Sequence, residues 1–284
     1  MANEKTRVAG ISVFAALFLT GIKLVVGIIT GSLGLLSEAL HSGLDLVAAV
    51  ITYFSVKISD TPPDKKHHYG HGKIENFSAF LETILLLITC AWIIYEALHR
   101  LISGNTDIEI NIWSYIVVII SILVDVTRSR ALYRVAKKYN SQALEADALH
   151  FSTDIWSSAV VLVGLICANF GFFFADSVAA LVVALIVIVI SYRLGKRSMN
   201  VLLDYAPEDK VSTIKDLIVT ISEVHGFKDL RVRTAGAETF VKVTILLDSK
   251  FTLSEVHEIC DKVEGVICSE IERCDVSVHA EPFD

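Results

Sequence analysis

Six long apolar stretches limit what this 284-residue chain can fold into. They occupy about residues 9–30, 33–57, 77–99, 110–128, 146–169 and 172–193. A helix needs roughly 20 apolar residues to cross the hydrocarbon core of a bilayer, and these stretches are of that length. The composition agrees, because 53% hydrophobic residues and a mean hydropathy of +0.58 exceed what an ordinary soluble domain has. We therefore expect a membrane all-α bundle of six helices over residues 1–204.

The remainder of the chain, residues 205–284, has the pattern of a soluble domain. Its apolar residues first recur at helical spacing and then alternate with polar residues in two segments, as in β-strands. A second segment with helical spacing and a third alternating segment follow. These segments are 208–222, 229–235, 239–248, 253–272 and 274–280. The order αββαβ predicts a small cytoplasmic α+β domain with its helices on one face of the sheet.

Lysine and arginine are unevenly distributed among the loops. The N-terminal segment, the loops after the second and fourth stretches and the segment after the sixth are rich in them, whereas the opposite loops hold only Arg100. By the positive-inside rule, both termini are predicted to be cytoplasmic in a multi-pass protein of the cell (inner) membrane. The net charge of −7 argues against nucleic acid as a partner.

The second and fifth stretches carry the same spacing of an acid, a histidine and a second acid. The two copies are Glu38, His41 and Asp45, and Asp147, His150 and Asp154. Offsets of three and seven residues place each triple on one helix face. Ionisable groups inside a membrane span are costly and usually functional. Two such helices could supply two histidine nitrogens and two carboxylates to one tetrahedral Zn²⁺, whose charge the carboxylates would balance.

The predicted metal site therefore consists of His41, Asp45, His150 and Asp154. A local His–Asp hydrogen bond would explain a single copy, and a shared proton site would explain both copies. Glu38 and Asp147, one turn before each histidine, are candidates for supporting or entry groups. Other polar residues of the spans, such as Lys23, Glu82, Asp125 and Asp176, are read as structural contacts within the bundle.

A histidine-rich loop, residues 64–75, follows the second stretch. Its sequence D-K-K-H-H-Y-G-H-G-K-I-E has a metal-binding composition, although a solvated polar loop would have a similar one. The candidate ligands in it are Asp64, His67, His68, His71 and Glu75. Gly70 and Gly72 flank His71 and would let the backbone fold tightly around an ion.

The soluble tail holds a third, weaker group of candidate ligands. His257 precedes Cys260 on a predicted helix, and His279 precedes Glu281 on the last predicted strand. Single histidines in soluble domains are more often ordinary surface or core residues, so the pattern alone does not establish a site here.

These features together resemble the cation diffusion facilitator family, and the likeness runs nearly end to end. The resemblance rests on the six spans, the doubled H-x-x-x-D, the stretch H-x-Y-G-H-G-K-x-E and the αββαβ tail. It implies a transport site at His41, Asp45, His150 and Asp154 and a loop site at Asp64, His67 and His71. It further implies that Lys73 and Asp204 form a charge pair that holds the two halves of a homodimer at the junction of membrane domain and tail.

Departures from the family pattern sharpen these expectations. A bacterial zinc transporter of the family has Asp at the position of His41, whereas other zinc-selective relatives have His there. The manganese branch has D-x-x-x-D in both spans, which this chain lacks. In the tail, His257, His279 and Glu281 match a pattern that binds two ions between subunits, but Lys228 and Thr244 stand where that pattern has His. One tail ion should therefore be lost and the other weakened or replaced by packing.

The resemblance implies a homodimeric exporter that moves Zn²⁺ out of the cytoplasm in exchange for protons. Zinc would be the transported substrate, with a further structural or regulatory ion conceivable in the tail. A carrier of Fe²⁺, Cd²⁺, Co²⁺ or Mn²⁺ with the same fold is an alternative, as is a metal-sensing membrane subunit that does not transport. An intramembrane metalloenzyme is disfavoured, because the chain has no H-E-x-x-H motif and four ligands leave no evident position for a reactive water.

Overall fold

The computed structural model describes residues 2–30, 33–103, 112–169 and 175–283. The predicted beginnings of the fourth and sixth spans, at 110–111 and 172–174, lie outside these residues. The side chains of Glu38 and Asp176 lie outside the described part of the chain as well.

Six long helices make up the described residues of the first part of the chain. They are α1 (Ala2–Thr30), α2 (Leu33–Ser59), α3 (Lys73–Ser103), α4 (Ile112–Tyr139), α5 (Gln142–Asn169) and α6 (Ala175–Leu202). At 1.5 Å per residue, the shortest of them, with 27 residues, extends about 40 Å, which exceeds the hydrocarbon core of a bilayer. Large apolar side chains such as Phe14, Ile29 and Trp92 are 70–79% exposed. An outer surface of this kind suits lipid rather than water.

Three helical segments in the described part of the chain are long and apolar enough to span a membrane. They are Glu4–Ile29, Ala39–Ser59 and Lys73–His99. The full count of six crossings and the direction of the termini stay predictions.

Packing inside the bundle brings the two repeat-bearing helices together. Helix α1 packs along α2, α4 packs along α5, and α2 contacts α5. Ala48 and Ala49 of α2 are fully buried, and small residues of this kind let helices approach closely in a membrane. A buried apolar cluster around Leu132 of α4 and Leu144 and Phe151 of α5 fixes the α4–α5 pair. The repeats are thereby held in the interior of the bundle.

The tail contains α7 (Glu208–Val219), β1 (Gly226–Ala235), β2 (Glu238–Asp248), α8 (Leu253–Glu270) and β3 (Cys274–Phe283). This order matches the predicted αββαβ. The sheet order is β1-β2-β3, with β1 antiparallel and β3 parallel to β2. A parallel neighbour needs a long crossover, and α8 provides it.

The core of the tail follows the predicted periodicities. Ile259, Val263 and Ile267 recur every four residues along α8, and Val243 and Ile245 alternate along β2; all of them are buried. The ends differ from the prediction: α7 stops at Val219 rather than 222, and β1 begins at 226 rather than 229. The backbone N–H groups of Thr220 and Ile221 turn back to carbonyls three residues earlier, which ends the helix. The added residues of β1 pair with the far end of β2 across an irregularity in the register between Lys228 and Arg231.

The chain divides into two compact units, residues 1–62 with 74–198, and residues 63–73 with 199–284. The histidine-rich loop is therefore grouped with the tail, and the division into domains 1–204 and 205–284 stays a prediction. Close backbone packing accounts for this grouping. A Cβ built on Gly72 would lie 2.4 Å from the carbonyl oxygen of Ala235, so only glycine fits there.

Candidate metal centres

The four residues predicted from the repeat lie together between α2 and α5. Each histidine faces an aspartate of the other helix: His150 Nε2 is 2.9 Å from Asp45 Oδ1, and His41 Nε2 is 3.8 Å from Asp154 Oδ1. Within each helix, the His–Asp separations are 4.0 Å in α2 and 3.8 Å in α5. The repeat thus forms a single cluster with a crossed arrangement of partners.

These distances suit one tetrahedral ion. With metal–ligand bonds of about 2.0–2.2 Å, the ligand atoms of a tetrahedral zinc site are roughly 3.3–3.6 Å apart. The four observed His–Asp separations of 2.9–4.0 Å lie on both sides of that range. His41, Asp45 and Asp154 offer ligand atoms that all lie within 4.8 Å of one another, and His150 joins this group through its 2.9 Å contact with Asp45. Two neutral imidazoles and two carboxylates would balance the charge of a divalent cation.

Exposure differs between the two histidines of this cluster. The side chain of His150 is 4% exposed, whereas that of His41 is 38% exposed. Nδ1 of His150 is buried and has no hydrogen-bond partner among the described residues. The cluster therefore has a closed side at His150 and an open side at His41.

A polar network adjoins the closed side of the cluster. Asp147 Oδ2 accepts a hydrogen bond of 3.0 Å from the Ser12 hydroxyl, and Ser12 Oγ accepts one of 2.7 Å from Arg128 Nε. The Arg128 guanidinium lies 3.3 Å above the Phe151 ring. Asp147 was predicted to be a supporting or entry group, whereas no role was predicted for Ser12 or Arg128. The feature of the sequence that could have indicated them is that they are polar residues within apolar helices.

The three loop candidates also lie together. Asp64, His67 and His71 offer ligand atoms within 4.8 Å of one another, and the rings of the two histidines are 4.4 Å apart. Asp64 Oδ1 accepts hydrogen bonds from the backbone N–H groups of His67 (2.6 Å) and Lys66 (2.7 Å), which lower the pKa of this exposed carboxyl to about 2. The carboxylate is consequently ionised and available to a cation at neutral pH.

The neighbouring histidine of the loop points elsewhere. His68 Nε2 lies 3.2 Å from the backbone carbonyl of Lys65, away from the loop cluster. Gly70 adopts a φ of +74°, which lets the chain turn between His68 and His71. Two of the three histidines of the loop, His67 and His71, therefore belong to the candidate metal site.

The tail candidates do not form a cluster within one chain. Among the described residues, the groups of three or more ligand atoms within 4.8 Å are those of the span and loop sites. His257 lies beside Asp261 at 3.7 Å, and His279 lies 3.8 Å from Glu281. Glu281 forms an ion pair with Lys228 at 2.5 Å, which lowers the pKa of Glu281 and raises that of Lys228. The carboxylate of Glu281, which was predicted to bind a metal ion, is thus paired with a lysine ammonium instead.

Lys73 and Asp204, predicted to form a charge pair, do so within this chain. Lys73 Nζ lies 2.8 Å from Asp204 Oδ1, and Arg233 NH1 approaches the same oxygen at 3.4 Å. Asp204 has a φ of 57° just after the end of α6. The pair ties the histidine-rich loop to the start of the tail and to β1.

Two family models match most of this chain. The family model of the cation efflux transmembrane domain matches residues 10–203, and that of the cation efflux protein cytoplasmic domain matches residues 206–283. An uncharacterized transporter of Methanocaldococcus jannaschii is 32% identical over 250 residues, which cover 88% of each chain. The cation-efflux pump FieF of Yersinia enterocolitica is 28% identical over 289 residues, which cover 99% of this chain and 95% of the pump.

One solved structure is similar to part of this chain. It is the C-terminal domain of MamM in a nickel form, with 26% identity and a TM-score of 0.27, covering 28% of this chain and 100% of that domain. The family models together span nearly the whole sequence, from the transmembrane domain to the cytoplasmic domain. The chain therefore belongs to the cation efflux, or cation diffusion facilitator, family of membrane transporters.

Proposed function

We propose that the chain exports Zn²⁺ from the cytoplasm in exchange for protons, with the cluster of His41, Asp45, His150 and Asp154 as the transport site. Membership of the family supports transport of a divalent metal cation. The observation that carries the zinc assignment is the ligand set, two imidazoles and two carboxylates at separations suited to a tetrahedral ion.

Proton exchange follows from the chemistry of these ligands. A histidine must lose its proton to bind a metal, so a proton and a cation compete for the same nitrogen. On the cytoplasmic side, free zinc would displace protons, and on the acidic outer side, protons would displace zinc. The difference in exposure between His41 and His150 fits a site that opens on one side at a time, as alternating access requires.

The loop cluster and the tail would have supporting roles. Asp64, His67 and His71 form a second cation site, exposed enough to exchange ions with the solvent. The tail would hold two subunits together as a homodimer, with weak metal sensing, since Lys228 already neutralises Glu281. The protein would then sense zinc mainly through the loop.

Ion flux into proteoliposomes tests the proposal. Vesicles loaded with a metal-sensitive dye would receive Zn²⁺, Cd²⁺, Fe²⁺ or Mn²⁺ in turn, with and without a pH gradient. We expect zinc flux that increases when the release side is made more acidic. Flux that ignores the gradient would refute the exchange of protons, and flux of manganese or iron without zinc would refute the zinc assignment. No flux of any ion would favour a metal-sensing subunit.

A further inference from the structure

A small cavity adjoins the open side of the four-ligand cluster. Its volume is about 40 Å³, more than the roughly 10–15 Å³ that one water molecule needs on the same measure. His41, Asp45 and Asp154 line one part of it, and Asp125 of α4 lines another. The cavity therefore connects the cluster to a carboxylate from a third helix.

Asp125 is a buried carboxylate with unused hydrogen-bonding capacity. The residue is 6% exposed, and its oxygens accept no hydrogen bond from the described residues. Its nearest charged partner is Arg128 NH1 at 3.8 Å, well beyond the 2.7–2.9 Å of a charge-assisted hydrogen bond. A buried charge is normally paired closely or bound to a metal. Asp125 has no such close pairing, and it lines a cavity that could hold a cation.

Arg128 does not close over Asp125 because other contacts hold it in place. Its Nε donates to Ser12, which in turn donates to Asp147, and its guanidinium rests on Phe151. Arg128 is thereby linked through Ser12 to Asp147 rather than hydrogen-bonded to Asp125. Lys23 also lines the cavity and donates to Ser42 Oγ at 2.8 Å. Both of these hydrogen bonds, from Arg128 and from Lys23, thus go to serines rather than to Asp125.

We propose that Asp125 is an additional ligand for the transported cation, which it holds together with water in the cavity as the ion enters or leaves the four-ligand cluster. The inference rests on the proposed function and extends the ion path to α4. Arg128 would keep this binding transient, since it repels a divalent ion that stays beside Asp125. The four-ligand cluster would remain the site of tight binding.

Zinc flux by Asp125→Asn, which keeps the side-chain size and removes the charge, tests this inference. Loss of a supporting metal contact typically weakens affinity by about 10-fold or more, so we expect KM for zinc to rise about 10-fold with a much smaller change in kcat. Asp125→Glu should retain most of the wild-type KM. Ser121→Ala, a buried change one turn earlier on α4, serves as the matched control and should leave KM unchanged.

Thermal unfolding of the metal-free protein separates a ligand from a structural counter-charge. If Asp125 is an unpaired ligand, removing its charge should not lower Tm. If its charge instead stabilises the buried Arg128, removing that charge should lower Tm. A raised KM with an unchanged or higher metal-free Tm supports the proposal. An unchanged KM overturns it, as does a raised KM with a lowered metal-free Tm. Asp154→Ala provides the reference for the proposed function. If Asp154→Ala abolishes zinc flux but Asp125→Asn behaves as wild type, the proposed function stands and only the role of Asp125 is refuted.

Discussion

At the scale of single residues, the two candidate metal centres differ in the contacts that hold their carboxylates in position. Asp45 meets a histidine from another helix, 105 residues away in sequence, whereas Asp64 is held by backbone N–H groups of its own turn. The first arrangement depends on the packing of two helices. The second is local, so it forms whenever the loop adopts its turn.

The pH dependence of the loop turn follows from the low pKa of Asp64. Because its folded pKa of about 2 lies below the ordinary value, the ionised carboxylate stabilises the turn above the ordinary pKa, and this contribution disappears as pH falls toward 2. In protein labelled with ¹⁵N-lysine, the amide resonance of Lys66 should stay constant down to about pH 4 and then titrate near pH 2. A midpoint at the ordinary carboxyl pKa would contradict this assignment.

The loop histidines offer a matched comparison. His67→Ala and His71→Ala should each weaken zinc binding at the loop by about 10-fold or more, because each removes one of three ligands. His68→Ala should leave it unchanged, since His68 points to the Lys65 carbonyl. Isothermal titration of the full-length protein in detergent would measure this, and equal effects of all three substitutions would refute the assignment.

At the scale of elements, the G-H-G-K motif has a structural reason as well as a chemical one. Gly72 packs against the β1–β2 hairpin, where Gly236 adopts a φ of +60° at the first position of a two-residue turn. The loop cluster thereby depends on a contact between two glycine-containing turns of the same unit.

Gly72→Ala should displace the loop from the hairpin. The new Cβ would lie 2.4 Å from the Ala235 carbonyl oxygen, and overpacking of this kind costs about 1–3 kcal/mol. We expect a lower Tm and weaker zinc binding at the loop. Gly265→Ala is the control, because nothing lies within 4 Å of its Cβ position and alanine favours the helix. Equal stability of the two variants would show that the close contact is absent.

The sequence predicts elements better than the contacts between them. The repeat spacing placed His41 with Asp45 and His150 with Asp154 on their helices, but the crossed pairing depends on how α2 packs on α5. The position of Asp125 beside the cluster depends likewise on α4, since no local pattern relates it to the repeat. The packing of the loop on the hairpin was missed because it arises from backbone proximity at Gly72 rather than from side-chain chemistry.

At the scale of the whole molecule, the ion pair in the tail predicts how the dimer responds to metal. Lys228 supplies the positive charge beside Glu281, so the proposed homodimer should not need an ion there. Light scattering coupled to size-exclusion chromatography should therefore find a dimer both with zinc and after treatment with a chelator. Dissociation into monomers upon chelation would instead show that a metal ion holds the tail interface together.

The central claim is that the crossed cluster of His41, Asp45, His150 and Asp154 carries the transported ion. The most direct test is zinc flux into dye-loaded proteoliposomes by the wild type, by Asp154→Ala and by Asp216→Ala, which removes an exposed carboxylate of α7. Asp154→Ala leaves three of four ligands, so flux should fall by about 100-fold or to background, while Asp216→Ala matches the wild type. Wild-type zinc flux by a folded Asp154→Ala protein would contradict the account.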